Sequence, residues 1–189
     1  MANTYLTRTP TGSATQTGTF SSWIKRSKLG GDKNTMISGY VDGSNYTRIH
    51  FRSDDSMQIY AQEGGSAIFN KITNRLFRDT SAWYHIVVAF DLSNSTAEDR
   101  IKIYINGVRE TSFSTNSNPS NTSKNIEFVN SNGSVNIGNY ASSDFFNGFM
   151  SHVQYIDATA YDASYFGSTD STTGEWKINT SPSVTYGTN

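Results

Sequence analysis

Cysteine is absent from this chain of 189 residues, which excludes a disulfide framework, a thiolate metal site and a thiol nucleophile. Charge is sparse, at 16% of residues, and nearly balanced: 15 Lys and Arg stand against 16 Asp and Glu, for a net charge of −1. That balance argues against nucleic acid or an anionic membrane as a partner. No apolar run approaches the roughly 20 residues that a membrane-crossing helix needs. The first eight positions contain no apolar stretch of the kind a signal peptide requires, so none is expected. No internal repeat and no linker divides the chain, and 189 residues suit one all-β domain.

What is present is Ser, Thr, Asn and Gly, with 13% aromatic residues. This composition suits short strands joined by tight polar turns and disfavours helices. Residues 17–26 read as a strand with Phe20, Ser22 and Ile24 on one face and Trp23 on the other. Residues 36–41 read as a second strand, and residues 46–52 alternate cleanly, Thr47, Ile49 and Phe51 against Tyr46, Arg48, His50 and Arg52. Residues 57–61 and, less regularly, 68–77 follow. Residues 83–91 are apolar on both faces and belong in the middle of a sheet. Asn106-Gly107 predicts a type I′ hairpin, with 108–113 returning antiparallel to 101–105. Residues 114–124 read as a polar loop, 126–129 and 135–138 as short strands, and 149–156 as a last long strand in unbroken alternation. Residues 163–166 suit one helical turn, and 167–174 a loop. Trp176 lies in a segment that docks back, and 179–189 form an extended tail. Trp23 and Trp83, in apolar strand contexts, are expected in the core.

Catalytic and metal chemistry find little support. Retaining and inverting glycosidases need two converging carboxylates, and a strand supplies them through a Glu-x-Asp-x-Glu run. None exists here, and the adjacent pairs Asp54-Asp55 and Glu98-Asp99 point opposite ways in extended chain. No enzyme is expected and no cofactor is required. His50, His85 and His152 fall on separate strands and read as hydrogen-bonded strand histidines. Calcium is the metal with candidates: Asp32 and Asp42 in one region, Asp91 and Asp99 in another, which read equally as turn-closing residues. The row Tyr46, Arg48, His50 and Arg52 reads either as a sugar- or carboxylate-contacting surface or as a solvated sheet face. Trp176, in a polar segment, is a candidate docking or binding anchor.

Several segments carry a family resemblance in order. These are Leu6-Thr-Arg-Thr-Pro10, Phe20-Ser-Ser-Trp-Ile-Lys-Arg-Ser-Lys-Leu29, Phe77-Arg-Asp-Thr-Ser-Ala-Trp-Tyr-His-Ile-Val-Val88, Ile103-Tyr-Ile-Asn-Gly-Val108, and Phe149-Met-Ser-His-Val-Gln-Tyr-Ile-Asp157 running on to Trp176. Together they resemble the concanavalin A-like (laminin-G-like) module found in marine phage virion proteins. The resemblance implies a two-sheet antiparallel jelly-roll sandwich spanning residues 1–189. It also implies a non-enzymatic role decorating a phage capsid or tail, with other virion proteins as partners and a homo-oligomeric state. The alternative it implies is a carbohydrate-binding lectin module for attachment to host-surface glycans. Related strands carry an acidic residue where His152 stands, so no carboxylate site transfers there. Related modules continue past Tyr186–Asn189, which reads as a compact stand-alone version.

Overall fold

A computed structural model describes residues 4–31, 33–119 and 124–187. Its chain order is β1 (Leu6–Arg8), β2 (Thr17–Arg26), β3 (Asn34–Asp42), β4 (Asn45–Phe51), β5 (Ser56–Glu63), β6 (Ser66–Leu76), β7 (Tyr84–Asp91), β8 (Ile101–Ile105), β9 (Val108–Arg109), β10 (Phe113–Ser117), β11 (Ser134–Ile137), β12 (Gly148–Asp157), β13 (Gly167–Thr169) and β14 (Trp176–Ile178). Three single 3₁₀ turns, Ala97–Asp99, Glu127–Val129 and Ala163–Tyr165, interrupt them. Two antiparallel sheets form the sandwich. One has the order β1-β11-β3-β4-β5-β6-β10, the other β12-β2-β7-β8-β9, and β13 pairs only with β14.

The period-2 pattern explains the core. Phe20 and Ile24 of β2, Ile86, Val88 and Phe90 of β7 and the three isoleucines of β8 face Met36, Ile37, Ile49, Phe51, Met57, Ile59 and Phe69 of the larger sheet. All are buried, and each contributes roughly 1.5–3 kcal/mol of transfer free energy. The expected I′ hairpin is present, with φ of 49° at Asn106 and 80° at Gly107. A side chain at Gly107 would also collide with the Trp176 ring.

Five local expectations are corrected. The return strand after Asn106-Gly107 stops at Arg109, and the chain crosses to the other sheet, where Phe113–Ser117 pairs with β6 as its edge strand. The expected polar loop is therefore half strand, because backbone pairing accepts Ser, Thr and Asn when a partner edge is open. Glu127–Val129 is a 3₁₀ turn packed over Gly39, where a Cβ would strike the Glu127 carbonyl. Residues 167–169 pair with β14 instead of looping. In β12 the register shifts between Ser151 and Gln154, so Met150 before the shift and Val153 and Tyr155 after it all pack on the main core. His152 sits in that bulge at φ 50°. An extra residue in a strand reverses every later side chain.

The tryptophan expectations also change. Trp83 is 41% exposed, and Trp23 lies on the outer face of the smaller sheet. There His85 is stacked between Trp23 (ring centroids 5.0 Å apart) and Trp176 (6.0 Å). The Trp176 indole N–H donates to His85 Nδ1 at 2.9 Å, and Ser21 Oγ lies 3.0 Å from Nε2. An indole only donates, so Nδ1 is unprotonated and the proton sits on Nε2, which donates to Ser21. With Val87, Ile156, Ala163 and Phe166, this cluster fastens the C-terminal arm to the sheet. Trp176 docks as expected, but its indole edge faces inward and is engaged.

Candidate functional site

The outer face of the seven-stranded sheet carries a row of large polar side chains. Strand β4 places Tyr46, Arg48 and His50 there by alternation, because Ile49 and Phe51 fill the core, and Arg52 follows directly after it. Register sets Tyr40, Ser38 and Thr35 of β3 beside them on one side, and Gln62, Tyr60 and Gln58 of β5 on the other. Asn70 of β6 stands across from Tyr60.

The row is not uniformly open to solvent. The loop of residues 138–147, between β11 and β12, folds across its middle. Tyr140 packs edge-on against Tyr46 and Tyr40, with centroids 5.0 and 5.3 Å away. The Arg48 guanidinium lies 4.7 Å from the centre of the Tyr140 ring and pairs with Asp144 Oδ2 at 3.0 Å. The Thr35 N–H donates to the Asp144 carbonyl. Ala141, Ser142 and Asp144 take φ values of 47°, 62° and 48°. Each such non-glycine residue costs roughly 1–2 kcal/mol, which the ion pair and the tyrosine contacts offset. Arg48 is consequently 6% exposed and His50 fully buried, correcting the expected outward row. Alternation assigns a face; it says nothing of a distant loop that covers the face.

Burial most of all, then the Arg48, Lys33 and Arg52 charges, lower the His50 pKa well below its ordinary value, with Gln58 opposing weakly. The ring is neutral. Its polar neighbour is Gln58 across the strand pair, at a geometry too loose for a full hydrogen bond. Burial, with the neighbouring Tyr46, raises the pKa of both Tyr60 and Tyr140.

On either side of the loop the face stays accessible. Tyr46 and Tyr60 are half-buried with centroids 5.7 Å apart. Beside them runs a line of oriented amides. The Tyr60 hydroxyl donates to Gln62 Oε1 at 3.1 Å, and Gln58 Nε2 donates to Asn70 Oδ1 at 2.7 Å. Arg52, half-exposed, closes the other end. Sequence alternation identified Tyr46 and Arg52. It missed Tyr60, Gln62 and Tyr140, for which the only signal was the alternation in 57–61 and an isolated Tyr in a loop.

The calcium candidates do not converge. Asp42 closes the β3–β4 turn, accepting from the Ser44 N–H and the Asn45 amide. Asp91 accepts from Ser93 and Asn94 in the other sheet, and Asp99 pairs with Arg109 at 2.7 Å. Asp32 lies outside the described residues. Among the described residues no three His, Cys, Asp or Glu side chains gather as metal ligands.

The family model described as the concanavalin A-like lectin/glucanases superfamily matches residues 2–163. The chain belongs to this superfamily. Solved structures agree on the sandwich. A heptameric SAP-like pentraxin from Limulus polyphemus is 17% identical, with 83% of this chain and 70% of that chain covered at a TM-score of 0.54. The Ruminococcus gnavus IT-sialidase CBM40 bound to α2,3-sialyllactose is 10% identical, with 80% of each covered and a TM-score of 0.56. Mouse laminin α1 domains LG4-5 are 13% identical at 0.54, and this concanavalin A-like chain covers 84% of its own length but 43% of theirs. No curated protein matches the chain by comparison.

Proposed function

We propose that this concanavalin A-like domain is a non-catalytic carbohydrate-binding module that reads sugars on the outer face of its seven-stranded sheet. The observation that carries the reading is the half-buried Tyr46–Tyr60 pair beside oriented amides of Gln62, Gln58 and Asn70. A pyranose presents an apolar C–H face and a rim of hydroxyls. Aromatic faces take the first, and fixed planar amides take the second without a further ordering cost. The neighbours support it by what they are: one is bound to sialyllactose, and another, domain 4 of a Geobacillus stearothermophilus arabinanase, is in complex with arabinotriose.

The carboxylates support a role without turnover. Glu110 pairs with Arg75, Glu127 accepts from Asn130, and Glu98 from Asn116 and Asn118. A glycan array, run with and without Ca²⁺, followed by titration calorimetry, tests the reading. Tyr60→Ala should weaken the best ligand at least tenfold, about 1.4 kcal/mol, with the fold intact. An array silent in both conditions overturns it. The Ca²⁺ arm reads whether the metal takes part at all.

Display on a virion surface, as the setting in which such a module works, is a second reading. Its support is the ordered series of phage-like segments from Leu6 to Trp176. A homo-oligomer there would multiply weak sugar contacts. Mass spectrometry of purified particles should find the chain in stoichiometric amounts, and its absence removes this reading while leaving sugar binding untouched.

A further inference from the structure

At the Arg52 end of the polar face lies a pocket of about 270 Å³, lined by Gly31, Lys33, Arg52, Ser53, Gln58 and Asp144. Its charge is one-sided. Lys33 has no ion-pair partner among the described residues. Arg52 reaches Asp54 only at 3.6 Å and the Gln58 amide oxygen only at 3.4 Å. Lys28 brings its ammonium beside Gly31, 3.6 Å from where a Cβ would stand. Asp144 is the one carboxylate in the lining among the described residues, and its Oδ2 is engaged by Arg48. Directly cross-strand from Gln58 is His50, fully buried and outside the lining itself. Cations with loose or no partners around a cavity make a site for an anion.

The rest of the lining narrows the class. A bare inorganic anion would use the cations alone and meet the Asp144 carboxylate as a repulsion. A sugar ring carrying one carboxylate uses both sides: the acid against the cations, and its hydroxyls against Ser53, Gln58 and Asp144. The volume suits one ring more than a chain. We infer that this pocket takes an acidic sugar residue of a glycan, its carboxylate held by Arg52 and Lys33. The inference rests on the sugar-binding reading above and names the substrate class of the same face.

The test is calorimetry on the full chain with oligogalacturonate and with its methyl ester, which keeps the ring and hydroxyls and loses the charge. Sialyllactose against lactose forms a second pair, separating a uronate source from a sialate one. The acid should bind at least tenfold tighter than its neutral counterpart, and the advantage should shrink as salt rises. Arg52→Gln and Lys33→Gln should each remove most of that advantage. Lys33 is exposed and Arg52 half-exposed, so both variants are expected to fold, with melting curves as the check. Equal affinity for acid and neutral forms in both pairs, or a preference that survives both substitutions, overturns the inference and leaves sugar binding standing. Displacement of the acid by equimolar sulfate would mark a simple anion site and also overturn it. Silence toward every sugar overturns both readings.

Discussion

His85 alone is expected to remove about 3 kcal/mol of unfolding free energy between pH 6.5 and pH 4. Burial lowers the His85 pKa from 6.5 to about 4. Below 6.5 the unfolded chain binds a proton at this ring that the folded chain refuses. Stability therefore falls as pH falls, from the unfolded pKa down to the folded one, and then levels. Roughly 2.5 pKa units at 1.36 kcal/mol each set the size. The geometry agrees with the sign: a protonated Nδ1 would face the Trp176 indole N–H, donor against donor, and release the C-terminal arm. His50, also lowered, adds in the same direction. Urea unfolding at several pH values in this window measures the slope. His85→Phe should flatten it, leaving the His50 part, while lowering stability at pH 7 because Trp176 and Ser21 lose their partner. Equal slopes for the two proteins would refute the assignment.

Asp55→Ala should cost about 3–5 kcal/mol, as expected when one partner of a buried ion pair is removed. Arg26, on β2, is 1% exposed, with Nη2 3.0 Å from Asp55 Oδ1. Its Nη1 donates to the Phe77 carbonyl at 2.6 Å, and its guanidinium lies 4.5 Å from the Phe51 ring centre. Asp55 sits at φ 69° in the turn before β5, accepts the Gly30 N–H and also meets Arg78. Burial alone would raise its pKa. The Gly30 N–H and the Arg26 and Arg78 guanidiniums outweigh that and hold the carboxyl below its usual value. Without Asp55 the Arg26 charge stays buried with only a carbonyl. Asp55→Asn retains the turn and isolates the charge effect. Combining it with Arg26→Met should recover part of the loss, a coupling that a double-mutant cycle reads. A cost under about 1 kcal/mol for Asp55→Ala would contradict the burial argument.

Much of the fold was legible because sandwich strands carry their own evidence. Thr17–Arg26 has the same bounds by alternation and in the structure, and Asn106-Gly107 makes its I′ turn. Segments without an apolar face were not legible. Leu6–Arg8 is exposed throughout yet pairs with β11, and Phe113–Ser117 holds its place through backbone bonds to β6. The candidate site was half legible: Tyr46 and Arg52 are accessible, while Arg48 and His50 lie beneath a loop roughly 90 residues later in the chain.

From the chain itself came the sandwich class, the core faces of β2, β4, β7 and β8, and the absence of a Glu-x-Asp-x-Glu run, since all three follow from local alternation and residue type. Only the tertiary structure decided which polar side chains stay in water. The loop of residues 138–147 lids Arg48 and His50, the C-terminal arm claims Trp176 and His85, and a cationic pocket is left open beside Arg52. Those outcomes depend on contacts between segments far apart in sequence, and periodicity carries no record of such contacts.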